Sequence, residues 1–278
     1  KEEIFRTSYS MNLARNQDLE LGVERAKTTL DSKLRLGLLV GEAPSADFGG
    51  LTPISRSNAT VQEIRYEGFA VHNWQINDQM SLESTLIYEE STIEQSGDTS
   101  KKRDFSFVRP KIDYRFDITP SLQFRATVEK DVAQLSFNDF TANIAPNNDD
   151  DKNTFAGNPE IRQEQSWRYD LNLEYRFNDD NGVINTNLFY QDLEDLIDRI
   201  DVSTAETIQS ANGNIGNGKR YGGSIDTSYR LASFNLPQLL ITARVDLTES
   251  AANDPFLNIQ RPIQRQGKGN YRYGFRYD

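Results

Sequence analysis

Hydrophobic and polar positions alternate in steps of two along much of this 278-residue chain. From Trp167 the odd positions are Trp167, Tyr169, Leu171, Leu173, Tyr175 and Phe177, and the even ones Arg168, Asp170, Asn172, Glu174 and Arg176. Leu122, Phe124, Ala126 and Val128 alternate in the same way with Gln123, Arg125, Thr127 and Glu129, and Tyr271, Tyr273, Phe275 and Tyr277 with Arg272, Gly274 and Arg276. Successive side chains on a strand point to opposite faces, so each segment is a strand with one apolar and one charged face. An aromatic-rich face backed by full charges calls for lipid on one side of a sheet and water on the other. The fold class this predicts is all-β, an antiparallel transmembrane β-barrel.

The alternation predicts about eleven strands, near 4–15, 18–31, 61–76, 79–93, 105–118, 121–133, 166–178, 183–197, 218–231, 238–249 and 268–278. Tight connections at Asn16-Gln17, Asn77-Asp78, Thr119-Pro120, Asn178 to Gly182 and Ala232 to Pro237 carry turn residues. Long ones fall at 32–60, 94–104, 134–165, 198–217 and 250–267, and the two kinds alternate. Antiparallel strands put alternate connections at opposite ends, so one end has short turns and the other long polar loops. This is the asymmetry of outer-membrane barrels, with short periplasmic turns and long extracellular loops. A soluble β-sandwich has no reason to collect its long loops at one end, and its strands are shorter.

The phase assigns faces. Met80, Leu82, Leu86, Tyr88, Ile112, Tyr114, Phe116, Tyr229, Leu231, Leu239, Ile241 and Val245 are expected to face lipid. Arg109, Lys111, Asp113, Arg115, Glu129, Arg168, Asp170, Glu174, Arg176, Asp226 and Arg244 are expected to face the lumen, where acids and bases on neighbouring strands would pair.

Composition fits this picture. Hydrophobic residues make up 36% of the chain, which is low for a packed core but sufficient for a single apolar skin. The absence of cysteine excludes a disulfide framework and thiolate metal sites. A net charge of -11 argues against a nucleic-acid partner. No apolar run reaches the roughly 20 residues of a membrane helix, which barrel strands do not need. An exported barrel requires a signal peptide, and none is visible at Lys1-Glu2-Glu3, so a preceding segment is expected outside this chain.

Several motifs carry less than they suggest. Gly213 to Lys219 has P-loop spacing, but Arg220 stands where the Mg²⁺-binding hydroxyl belongs and a strand follows instead of a helix. Asn147-Asn148-Asp149-Asp150-Asp151-Lys152-Asn153 is oxygen-rich but lacks the spacing and the glutamate of a calcium loop, and reads as a solvated loop tip. Asp192, Glu194, Asp195 and Asp198 read as a charged rim. His72, the only histidine, shares a strand phase with Ile64, Tyr66, Trp74 and Ile76, and so reads as an interfacial residue and not a general base. No catalytic residue, metal site or cofactor is expected.

Two stretches are similar to a known family. Gly157-Asn158-Pro159-Glu160-Ile161-Arg162-Gln163-Glu164-Gln165-Ser166 resembles the stretch that precedes a late barrel strand in TonB-dependent outer-membrane receptors, with Gln163 where that family usually has proline. Asn214-Ile215-Gly216-Asn217-Gly218-Lys219-Arg220-Tyr221-Gly222 resembles a later strand opening of the same family. The resemblance implies a bacterial outer-membrane location, a barrel of about 22 strands with a plugged lumen, and import of a scarce nutrient such as an iron chelate, a cofactor or a glycan. It implies as partners outer-membrane lipid, a small-molecule or glycan ligand outside the cell, and the TonB energy-transducing complex, contacted through an N-terminal region not in this chain. Residues 1–278 are then one partial barrel domain, without the plug. The loop 134–165 is the expected ligand-capturing element, through Phe137, Phe140, Asn147, Asn148 and Phe155, although the same aromatics would equally anchor the loop to the rim. A passive outer-membrane porin and a soluble all-β binding or adhesion module are the alternatives.

Overall fold

The computed structural model describes residues 1–35, 56–98, 100–140, 143–144, 154–155, 157–177, 181–203, 210–264 and 266–278. The strands in chain order are β1 (Glu2–Ala14), β2 (Gln17–Arg35), β3 (Arg56–Asn77), β4 (Met80–Gly97), β5 (Lys101–Thr119), β6 (Leu122–Val132), β7 (Asn143–Ile144), β8 (Thr154–Phe155), β9 (Gln165–Arg176), β10 (Gly182–Glu194), β11 (Ile197–Asp201), β12 (Ser210–Asn214), β13 (Gly218–Arg230), β14 (Leu239–Asn253), β15 (Gln260–Arg261) and β16 (Gly269–Tyr277). A 12-stranded antiparallel sheet runs β1-β2-β3-β4-β5-β6-β9-β10-β13-β14, with β15 and β16 both on the far edge of β14. Among the described residues β1 pairs only with β2 and β16 only with β14, so the sheet is a barrel wall that does not close on itself.

The register carries one apolar surface from edge to edge. On the outer face Tyr9 stands opposite Leu21, Leu21 opposite Ala70 and Ala70 opposite Leu86. Further on, Ala126 meets Leu171, Leu171 meets Leu188, Ile225 meets Val245 and Val245 meets Tyr271. Leu21, Leu86, Ile112, Leu171, Leu188 and Ile225 are all exposed on this face, as a lipid-contacting skin requires. Aromatic residues frame the band. Tyr66 and Trp74 on β3, Trp167 and Tyr175 on β9, and Tyr221 and Tyr229 on β13 stand eight positions apart on the outer phase, about 27 Å of strand. Rings of this kind settle at the two membrane–water interfaces. His72 lies near the turn end of β3, its Nε2 3.1 Å from Gln17 Oε1.

The sheet ends differ as the alternation implies, with two corrections. β4 and β5 run on to Gly97 and from Lys101, so the connection expected to be long at 94–104 is a hairpin closed over residues 98–100. Beyond the aromatic ring the outer face meets water and the inner face a folded-in loop, so Glu94 pairs with Lys102 in the ladder with no alternation to mark the strand. Asn58 N–H closes the tip by donating to Asp98 Oδ2 at 2.8 Å, with Gly97 at φ 120°. Leu231, expected on the lipid face of a strand, instead opens a 3₁₀ turn, Leu231–Phe234.

Candidate ligand-facing site

The inner face of β1 to β5 carries a continuous chain of charges. Arg6 lies 3.6 Å from Glu24, Glu24 3.4 Å from Arg65, Arg65 3.2 Å from Glu67, Glu67 2.9 Å from Arg109, and Arg109 3.5 Å from Glu89. Alternating signs offset the cost of removing these groups from water. Cross-strand pairing was expected throughout, but much of it runs along single strands. Arg115–Asp117, Arg168–Asp170, Arg176–Glu174 and Arg244–Asp246 are neighbours two residues apart on one face. The side-chain period of two places such residues on the same side, close enough for an arginine to reach.

Three phenylalanines on this wet face lie under arginines. The guanidinium carbons of Arg6, Arg103 and Arg168 stand 4.3, 4.7 and 5.5 Å from the ring centroids of Phe69, Phe105 and Phe189. Phe105 and Phe107 stack at 6.2 Å with 13° between planes. A side chain on Gly22 would have its Cβ 2.2 Å from Phe69 Cζ, so glycine there lets the ring lie flat on the wall. Sequence reasoning passed over these phenylalanines. The signal was present: an aromatic on the polar phase of an alternating strand breaks the rule that puts aromatics against lipid.

At the loop end, three connections fold inward and become one body. The connection between β6 and β9 is closed at its neck by Ala133 N–H donating to Glu164 O. It then lies on the inner face of β3 to β5, where Phe140, Leu135 and Ile161 pack with Val61 and Ile93. Phe137 joins edge-on, 6.4 Å from Phe140. Gln95 Nε2 donates to Phe140 O at 3.0 Å, Gln134 Nε2 to Glu63 Oε2 at 3.3 Å, and Arg103 to the carbonyls of Pro159 and Ile161.

The two stretches that carried the family resemblance meet here. Asn158 Nδ2 donates to Asn212 O at 2.9 Å, and Asn212 Nδ2 donates to Asp139 Oδ1 at 2.9 Å. Arg162 N–H donates to Asn214 Oδ1 at 2.7 Å, and Asn214 Nδ2 returns to Arg162 O at 2.9 Å. Ile197 N–H donates to Glu164 Oε2 at 3.0 Å. Gly213 leaves room for the Ile200 side chain, whose Cδ1 lies 2.3 Å from where a Cβ would stand. Burial pushes the carboxyls of Asp139 and Glu164 above their ordinary range, partly offset by these donors. Arg261 completes the lock: it lies 2.9 Å from Asp198 and 2.6 Å from Asp254, joining the β11–β12 hairpin to the end of β14. Leu193, Leu196, Ala252 and Ile263 form a second apolar cluster that joins the same three segments.

The five residues expected to capture a ligand separate. Phe140 is 3% exposed and Phe137 packs against its cluster, so both hold the base of the loop. Phe155 lies on β8, opposite Asn143 of β7. Asn147 and Asn148 lie outside the described residues. The run 147–153, weighed as a cation loop, lies outside them too.

A family model described as TonB dependent receptor-like, beta-barrel, matches residues 4–276. Solved structures of similar fold include one titled copper transporter OprC, with a TM-score of 0.71 at 13% identity, covering 99% of this chain and 41% of that one. The ferric yersiniabactin uptake receptor FyuA from Yersinia pestis gives 0.62 at 14% identity over 99% of this chain and 39% of its own. The siderophore receptor PiuA from Acinetobacter baumannii gives 0.63 at 13% identity over 99% and 44%. No curated protein matches the chain. The chain thus spans less than half the length of these solved structures.

Proposed function

The chain belongs to the TonB-dependent receptor β-barrel family of the bacterial outer membrane, and from that premise we propose that it supplies barrel wall and inward-docked extracellular loops to a receptor that imports an anionic metal chelate. The observation that carries this reading is the set of arginine-on-phenylalanine contacts on the inner wall, Arg6 on Phe69 and Arg168 on Phe189, together with the Phe105–Phe107 stack. A guanidinium lying on an aromatic ring offers charge-assisted donors beside an apolar plane, which suits a ligand combining carboxylate or phenolate oxygens with flat rings. Solved structures of similar fold titled as a copper transporter, a ferric yersiniabactin receptor and a siderophore receptor support a metal-bearing cargo. The work of such a receptor is binding and release, and no bond in the cargo is broken.

On this reading Phe137 and Phe140 hold the loop base, while Asn147, Asn148 and Phe155 reach the ligand. Residues 1–278 are one partial barrel domain. Contact of the whole receptor with the TonB complex is what family membership implies, and it is part of this proposal.

Two changes in the full receptor test this. Phe107→Ala removes a ring outside the loop-docking contacts, and deletion of 146–153 removes residues that belong to no strand of the sheet. Each is expected to lower uptake of the limiting chelate by about tenfold, the loss of roughly one stacked contact, at unchanged abundance in the membrane. Normal uptake by Phe107→Ala at normal abundance would overturn the chelate assignment, and uptake of a glycan or neutral cofactor with the same sensitivity would redirect it.

A further inference from the structure

The ladder between β5 and β6 stops halfway along β5. Its last pair is Lys111 opposite Glu129, although β6 runs on to Val132 and β5 extends back to Lys101. The direction of the main-chain bonds explains the stop. Asp117 N–H donates to Gln79 O at 2.8 Å, so the odd residues of β5 bond to β4 and the even ones point toward β6. Arg176 N–H donates to Ser121 O at 2.8 Å, so the odd residues of β6 face β9 and the even ones face β5. Past the bonded pair of Ile112 and Val128, the next even residue of β5 is Pro110, which has no N–H to give. The strands part there. Lys130, next in register on β6, stays paired to Trp167 of the aromatic ring. The split therefore starts at the membrane surface, and what lies beyond it stands on the loop side.

Beyond Pro110 the main-chain N–H and C=O groups of Lys102, Asp104, Ser106 and Val108 point away from β4 into the split. Among the described residues no hydrogen bond reaches these groups there. All four residues are exposed. The edge they form is stiff. Its odd residues stay laddered to β4 as far as Lys101 opposite Gln95, and Arg103 is tied from within to the carbonyls of Pro159 and Ile161. A stiff row of unpaired donors and acceptors is a template for one more strand.

We propose that the free edge of β5, Lys102 to Val108, receives an extended peptide segment of a partner protein outside the cell, which adds to the sheet as a strand. The edge is seven residues long, about 23 Å. Its donors and acceptors recur every second residue, about 7 Å apart, and only another main chain repeats that spacing over such a length. A chelate or a sugar meets one or two of these groups. Lys102 and Asp104 on the outer phase are charges of the kind that keep an edge from pairing with a copy of itself. They call for polar side chains at the matching positions of the partner segment.

The test is a tethered peptide. Lys102→Cys in an otherwise cysteine-free full receptor is linked to an alternating threonine–valine heptapeptide, and the tether raises its local concentration to about millimolar. Amide hydrogen exchange is then read by mass spectrometry at Asp104, Ser106 and Val108. In the unlinked receptor these amides are expected to exchange freely, while those of Arg103, Phe105 and Phe107, bonded to β4, are slow. The linked peptide is expected to slow the three free amides by about tenfold or more. N-methylation of the peptide amides that face the edge is expected to abolish the effect, and N-methylation of the opposite set to leave it. Ser106→Pro repeats Pro110 at a position whose N–H β4 does not use, so it is expected to keep the heat-modifiable gel mobility of a folded barrel and to lose the protection. Should Ser106→Pro fail to assemble, the methylated peptides decide the matter. No added protection from the linked peptide, or equal protection from both methylated forms, overturns the proposal. So does slow exchange of the three amides in the unlinked receptor, which would mean that a second copy, visible as a dimer by size, or the receptor's own loops already fill the edge. Uptake of cargo is not part of this readout, so its failure leaves the transport reading untouched.

Discussion

Leu171 and Asn172 are adjacent in sequence and face different solvents. Leu171 stands between Ala126 and Leu188 in the outer band, and Asn172 between Arg125 and Asn187 on the inner wall. Replacing Leu171 with arginine places a cation in hydrocarbon at a cost of about 2–4 kcal/mol near the midplane. Asn172→Arg puts the same charge in water beside other polar groups. Assembly into lipid, read as the fraction of heat-modifiable receptor, is expected to drop for Leu171→Arg and to stay near wild type for Asn172→Arg. Equal assembly of the two would mean that the faces are assigned the wrong way round. Histidine 72 follows the same logic: on the outer phase, near the turn end and within reach of Gln17, it is an interfacial side chain.

At the scale of the element, the strands expected from alternation are all present, because lipid on one face forces every second residue to be apolar. The pattern goes silent where that force ends. Past the aromatic ring, β4 and β5 continue as the Glu94–Lys102 and Gln95–Lys101 pairs, and neither pair differs in sequence from a loop. The docking of the loops was equally hidden. Asn158 and Asn214 stand in the two stretches that resemble the family and Asn212 carries no signal of its own, and only their meeting in space makes them one hydrogen-bonded body. That body has a pH dependence. Asp139 and Glu164 are buried there with carboxyl pKa values raised, burial being the larger cause in each case. A carboxyl whose pKa is higher in the docked state favours docking when protonated, so this contribution is complete below the ordinary carboxylate range and is lost as pH rises through the raised value. Hydrogen-exchange protection of the Asn158 and Ile197 amides, corrected for intrinsic rates, is therefore expected to increase as pH falls from neutral toward about 4. Glu164→Gln keeps an acceptor for Ile197 N–H and removes that carboxyl's share of the effect. Protection that weakens steadily over the same range in the wild type would show that these carboxyls hold the loops as anions.

The whole molecule is an oriented wall. Short turns such as Asp78-Gln79 and Pro120-Ser121 close one end, and the docked loop body closes the other. Membership of the barrel family places the turn end in the periplasm and the loop end outside the cell. The loop end also shows apolar side chains that no lipid band accounts for: Phe256, Leu257 and Ile259 are exposed on a turn at the end of β14. Asp254 Oδ1 fixes that turn by accepting from the N–H groups of Phe256 and Leu257 at 2.9 Å, and Arg261 holds the same carboxylate at 2.6 Å. The absence of cysteine makes orientation directly measurable, since any thiol introduced is the only one in this stretch. Leu257→Cys sits on a surface turn 69% exposed and Asp78→Cys on an exposed turn at the opposite end, so neither change removes packed side chains. A membrane-impermeant maleimide is expected to label Leu257→Cys on intact cells and Asp78→Cys only once the outer membrane is permeabilised. The reagent sees only which end of the strands a residue occupies, so the outcome is independent of the cargo and of the rest of the receptor. Labelling of Asp78→Cys alone on intact cells would invert the wall, and with it the side from which Arg6, Phe69 and Phe107 would meet a ligand.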